Sequence, residues 1–214
     1  MNKSAMIYKT LLFLAVLLSV SFIQSPVFAQ TEKGIDLFNY WDFKKAEDAF
    51  REVLKNNPAD AQAGYYLGMS LIMQEKYQEA LNVLKKVKAS GKSATPNEGQ
   101  LKIALARAYL GLKNYPEALE YLNVAEEVNA DPVEYHTYRG AYYLGKKDAN
   151  KAVKELDKAI DLNSQNPYTY YHAGFAYLSL GNAPKAVKLF EMFLRLAPYA
   201  PEAEKVKFLV NSLC

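Results

Sequence analysis

Residues 115–122 read YPEALEYL, and the same phrasing returns four more times: FKKAEDAF at 43–50, YQEALNVL at 77–84, ANKAVKEL at 149–156 and APKAVKLF at 183–190. Aligned on one alanine in each (Ala46, Ala80, Ala118, Ala152, Ala186), successive copies lie 34, 38, 34 and 34 residues apart. In that register a small residue stands twelve positions earlier: Gly34, Gly68, Ala106, Gly140 and Gly174. A large apolar residue stands nine positions earlier (Leu37, Leu71, Tyr109, Tyr143, Tyr177) and another four later (Phe50, Leu84, Leu122, Leu156, Phe190). Within each copy the apolar spacing is three and four residues, which marks one face of a helix. No copy can bury such a face alone, so neighbouring copies must stack.

The small residues set how closely two helices approach. Glycine or alanine midway along the first helix of a unit (helix A) admits the second (helix B), and the register alanine does the same from the other side. The large residues are expected to fill the space between units. Residues 109–119, YLGLKNYPEAL, show the turn inside a unit: Gly111 and Asn114 break helix A, and Pro116 suits the first turn of helix B. Pro58 and Pro198, twelve after the alanine in the first and last units, end helix B there.

This pattern resembles the tetratricopeptide repeat, a 34-residue helix–turn–helix with a small residue and an aromatic in helix A and Ala-x3-Phe in helix B. The resemblance implies an all-α fold, a right-handed α-solenoid. Its five units fall at about 30–60, 61–98, 99–132, 133–166 and 167–200, and a capping helix occupies 201–214. In that cap Val206, Leu209, Val210 and Leu213 share one stripe, while Glu204, Lys205 and Lys207 lie elsewhere. The chain departs from the family in places. Gly64, Lys102, His136 and Tyr170 replace the usual tryptophan of helix A, and Arg139 stands where leucine is commoner. The turn aromatics Phe43, Tyr77 and Tyr115 give way to Ala149 and Ala183, which predicts looser packing in the last two units. The 38-residue spacing reflects an insertion within Ala89–Gly99, ASGKSATPNEG, a polar loop read as a surface insertion or a contact-making segment.

The first helix A is expected to begin near Thr31, because the residues before it read as an address. Lys3 and Lys9 are followed by the uncharged stretch TLLFLAVLLSVSFI at 10–23 and by Val27-Phe28-Ala29. That is the layout of a secretory signal peptide with cleavage after Ala29. The apolar stretch is short for a transmembrane helix, which needs about 20 residues. An uncleaved N-terminal anchor is the competing reading. The expected location is exported, periplasmic or secreted, with no integral membrane segment after cleavage, and residues 30–214 form the repeat domain.

Of the 214 residues half are hydrophobic, and 26 Lys and Arg against 23 Asp and Glu give a formal charge of +3. Losing the leader removes two lysines and leaves about +1. Such a balance argues against disorder and against nucleic-acid binding. The single cysteine, Cys214, cannot form an internal disulfide, though it can link two chains in an oxidising compartment. No phosphate-binding glycine loop, metalloprotease motif or nucleophile elbow appears. The two histidines, His136 and His172, fall in helix A of adjacent units and read as packing or groove-lining residues. No catalytic residue, metal site or cofactor is expected.

Binding is therefore the expected activity. A stack of helical pairs is a superhelix whose concave face is lined by helix A. The register assigns Phe38, Tyr65, Met69, Met73, Ile103, Arg107, Tyr138, Tyr168, Tyr171 and Phe175 to a partner-binding groove. Tyrosine and methionine suit adaptable contact surfaces. The lysine/asparagine/arginine clamp of chaperone-tail receptors is missing, since Tyr65 and Met69 occupy the corresponding places and only Arg107 is cationic. The partner expected is a protein or peptide with an apolar or amphipathic segment. The resemblance further suggests bacterial envelope assembly, secretion or pilus biogenesis. The competing reading is a structural module that homo-oligomerises.

Overall fold

The computed structural model describes residues 26–91 and 94–213. These form eleven helices and no strand. They run as five antiparallel pairs: α1 (Pro26–Asn39) with α2 (Phe43–Asn56), α3 (Ala61–Met73) with α4 (Tyr77–Leu84), α5 (Glu98–Gly111) with α6 (Tyr115–Glu127), α7 (Pro132–Gly145) with α8 (Ala149–Asp161), and α9 (Pro167–Ser179) with α10 (Ala183–Leu196). A last helix, α11 (Ala203–Leu213), closes the stack. The charged and apolar parts of the expected leader, and Cys214, lie outside the described residues.

One turn design serves every pair. The residue five before the register alanine takes positive φ: Trp41 (64°), Glu75 (60°), Lys113 (57°), Lys147 (60°) and Gly181 (76°). The next residue's N–H then reaches back to the carbonyl of the large residue nine before the alanine. Asp42 donates to Leu37, Lys76 to Leu71, Asn114 to Tyr109, Asp148 to Tyr143 and Asn182 to Tyr177, each at 2.9 Å. This left-handed closure satisfies carbonyls that the end of a helix leaves open. Side-chain caps start most of the helices: Asp42, Asp60, Asn97, Asp131, Asp148, Asn166 and Asn182 each accept a backbone N–H of the first turn. At α5 the cap is reciprocal, because Gln100 also accepts from the N–H of Asn97 at 3.0 Å.

The seam inside each pair is where the register acts. All five register alanines are fully buried. A Cβ on Gly34 would come within 2.6 Å of the Phe50 ring, and one on Gly68, Gly140 or Gly174 would overlap Leu84, Leu156 or Phe190. The large residue four after the alanine therefore packs on the glycine of its own unit, rather than between units. A second seam joins neighbours: Tyr77 covers Gly111 and Tyr115 covers Gly145, so these two turn aromatics pack on the following unit.

Consecutive A helices pack backbone to backbone, α1 with α3, α3 with α5, α5 with α7 and α7 with α9. Among the described residues the B helices stand farther apart and meet only through long side chains, as where Arg51 on α2 reaches Glu79 on α4 at 3.0 Å and Lys185 on α10 reaches Asp157 on α8 at 3.8 Å. A stack in contact along one edge and splayed along the other must curve, with the A helices inside. The curl is tight enough to bring the ends together. Trp41, in the first turn, packs against the core cluster of the last pair and the cap. Around it Tyr40, Phe43, Met73, Tyr199 and Pro201 line a shallow cavity between the first turn and the α10–α11 connection.

Two details differ from expectation. α1 starts at Pro26 and runs through the expected cleavage point, with Thr31 already buried inside it. α4 has 8 residues where the other paired helices have 13 or 14, ending at Leu84 ahead of the 89–99 insertion. That loop is drawn together by Ser90 N–H donating to the Pro96 carbonyl at 2.8 Å. In α11 Val206 is buried, Leu209 and Val210 pack on the same cluster, and Phe208 points outward at 77 % exposure.

Candidate functional site

The inner helices enclose a channel whose midpoint is Arg107 on α5. Three cavities of about 540, 550 and 440 Å³ meet at this residue. The first opens at the N-terminal ends of α5, α7 and α9, between Tyr65, Gln100, Ile103, Glu134 and Asn166. The second opens at the α3–α4 turn and the loop before α11, between Met73, Glu75, Tyr77, Tyr171, His172 and Glu202. The third spans from Phe38 and Trp41 to Pro167 and Tyr168, across the gap between the two ends of the curl.

Arg107 is held by soft contacts. Its guanidinium lies over the Tyr138 ring, 4.7 Å from the centroid, and donates to the thioethers of Met69 at 3.6 Å and Met73 at 3.5 Å. Thioether sulfur is a weak acceptor, and a guanidinium offers five N–H donors. No carboxylate oxygen lies within 4.0 Å of it among the described residues. Glu134 is nearby and accepts from the Asn166 amide at 2.8 Å. Burial raises its carboxyl above the usual range, against the opposing pull of Arg107 and of that hydrogen bond.

The tyrosines around this centre remain neutral donors. Burial raises Tyr65, Tyr138 and Tyr168 far above the ordinary phenol value, and Tyr171 to about 12. Tyr168 donates its hydroxyl to Glu202 at 3.0 Å, tying α9 to the loop before the cap. His172 sits among Tyr138, Tyr168 and Tyr171. Burial, assisted by Arg107, lowers it to about 4, so it is uncharged at neutral pH. His136 takes a different partner, Glu155, at 2.7 Å on the α7–α8 seam.

The ten residues assigned to the groove from sequence take three kinds of position. Tyr65, Met73, Arg107, Tyr168, Tyr171 and Phe38 are half-buried and line the cavities. Met69, Ile103 and Tyr138 also line them, but as a floor only 8, 4 and 4 % exposed. Phe175 turns its ring onto Phe190 and Tyr171, each centroid 5.0 Å away. Sequence reasoning did not place Trp41, Gln74, Glu75, Tyr77, Gln165, Asn166 or Glu202 on the channel. Thr137, one residue before Tyr138, is buried between inner helices, hydroxyl to hydroxyl with Thr169 at 2.7 Å.

Four family models match, all of the tetratricopeptide repeat, over residues 32–95, 71–141, 143–181 and 168–198. The chain belongs to the tetratricopeptide repeat family. Among solved tetratricopeptide structures it is similar to a thermophilic protein from Thermus thermophilus, with 24 % identity, TM-score 0.71, and coverage of 87 % of this chain and 98 % of that one. A tetratricopeptide repeat protein from Parabacteroides merdae has 16 % identity and TM-score 0.70, covering 99 % and 79 %. MamA from Desulfovibrio magneticus has 19 % identity and TM-score 0.52, covering 83 % and 98 %. These likenesses establish the fold. No curated protein matches the chain in sequence. Among the described residues no helix is long and apolar enough to cross a membrane.

Proposed function

We propose that this protein is an exported, non-catalytic scaffold that holds an extended segment of a partner protein in the channel around Arg107. One observation carries the reading: three cavities converge on a single residue, walled by Tyr65, Met69, Met73, Tyr138, Tyr168 and Tyr171 from successive inner helices. Rigid amphipathic rings and adaptable thioethers suit a segment with alternating apolar and polar side chains. The leader-like N-terminal sequence supports export, and the family resemblance supports a role in envelope assembly or secretion. Capture from the organism's envelope fraction, followed by mass spectrometry, tests this. Tyr65→Ser is expected to lose the captured partner while Tyr199→Ser, on the outer loop, retains it. Equal capture by both variants contradicts channel binding.

A second reading, self-assembly of copies, draws on Phe208, which stands 77 % exposed on the terminal helix beside the stripe that packs inward. Light scattering across a range of concentrations separates the two readings. A mass that stays monomeric removes self-assembly, and a mass that climbs with concentration and falls with Phe208→Ser supports it.

A further inference from the structure

The charges along the channel alternate, and this order selects its occupant. At one mouth stand Asp131 and Glu134; at the other stand Glu75 and Glu202, with Lys205 beside them. Between them lies Arg107, shared by all three cavities. The wall therefore reads acidic, basic, acidic. The acidic mouths are not neutralised by tight pairing: Asp131, Glu134, Glu75 and Glu202 make no ion pair within 4.0 Å among the described residues. The central guanidinium is likewise without an oxygen acceptor there, its partners being two thioether sulfurs. A half-buried cation that meets only weak acceptors gains most from a carboxylate delivered to it. The mouths disfavour a segment that is anionic throughout, because like charges facing one another across a contact are strongly unfavourable.

We propose that the channel takes a peptide segment with one internal carboxylate, seated on Arg107, and cationic residues on both sides of it facing the acidic mouths. This rests on the channel-binding reading above and names the chemistry of its ligand. A chain end is a different ligand, because a terminal carboxylate carries residues on one side only.

The test uses fluorescent nine-residue peptide pools, acetylated and amidated at the ends, titrated against the protein as its host produces it. The centre is Glu, Gln or Lys, the flanks are Lys, Gln or Glu, and all other positions are mixtures of Ala, Leu and Tyr. The pool with Lys flanks and a Glu centre is expected to bind about tenfold tighter than the pool with a Gln centre, the scale of one well-placed charge pair. Arg107→Gln is expected to erase that preference, and Arg107→Lys, which keeps the charge, to retain most of it; circular dichroism verifies that both fold. Glu75→Gln with Glu202→Gln is expected to weaken the demand for Lys on one flank. The proposal is overturned if Arg107→Gln keeps the Glu preference, if a Lys centre binds tightest, or if a pool ending in a free carboxylate outbinds the internal one. Peptides that bind regardless of central charge sink this proposal alone. Failure of every pool to bind sinks the channel reading with it.

Discussion

Along the seam inside each pair, Gly68 lies under Leu84 and Gly140 under Leu156, with no room for a Cβ. Along the channel wall, the inner helices present Tyr65 and Arg107 to open space. The seam is set by volume, and each position admits few side chains because interiors are close-packed. The channel is set by chemistry: its rings and sulfurs surround a cation without filling the space around it. A helix A therefore carries two kinds of information at residues only three or four apart. One kind keeps the stack together, and the other is free to specify a ligand.

The sharpest way to break this contrast is to overfill the seam. Gly140→Val is expected to cost about 3 kcal/mol, at the upper end of overpacking effects, because fully buried Leu156 has nowhere to move. Tyr65→Ser on the channel wall should cost less than half of that in the same thermal melts. Equal losses would mean that the channel is core.

Acid gives the next largest effect. His172 titrates near 4 in the folded protein against 6.5 when free, so it stays neutral while the unfolded chain takes up a proton. Its contribution is complete above about pH 6.5 and is lost as pH falls toward 4. That loss is on the order of 3 kcal/mol. His172→Phe is expected to flatten the stability profile across that window, which urea melts at stepped pH will read. An unchanged slope would place His172 in water and reopen the packing of this wall.

The clasp between the two ends is a smaller matter. Trp41 combines a left-handed backbone with a contact to the last pair, so its two replacements should differ. Trp41→Gly and Trp41→Ala lose the same ring, but glycine tolerates the positive φ. The glycine variant should be the more stable by about 1 kcal/mol. Since Trp41 is the only tryptophan, the wild-type emission reports on the same contact: a peptide that spreads the ends should shift it to the red. The mildest test is Ala106→Gly, which should cost about 0.5–1 kcal/mol, as it converts the third unit to the glycine used by the others.

How far each region was legible follows from the same contrast. The positions of the seam could be read from residue 34 to residue 190, because steric rules repeat with the register and do not depend on how strongly the stack curves; the side the large residues face could not, since Phe50, Leu84, Leu156 and Phe190 pack within their own units. The channel could be read only where it is made by helix A. Glu75 belongs to a turn, Tyr77 to the first turn of helix B, and Glu202 to the loop before the cap. They reach the cavity because the curl brings the ends together, a property of the whole stack that no 34-residue window contains. Phe175 shows the limit inside a helix: it shares a stripe with Tyr171, yet it adjoins Gly174, where Phe190 inserts, and its ring follows that packing. Thr137 shows the same limit, since its stripe faces inward but its hydroxyl pairs with Thr169 on the next inner helix. Trp41 carried a signal that was available, a lone tryptophan in a turn where other units place Glu, Lys or Gly.

The central claim is that the partner lies inside the curl. Site-resolved photo-crosslinking addresses it, with benzoylphenylalanine placed in turn at position 171, on the channel wall, and at position 208, on the outer face of the cap. Crosslinks to a partner segment from position 171 and none from position 208 are the predicted result. Crosslinks from position 208 alone would put the interaction on the outside of the stack and contradict the account.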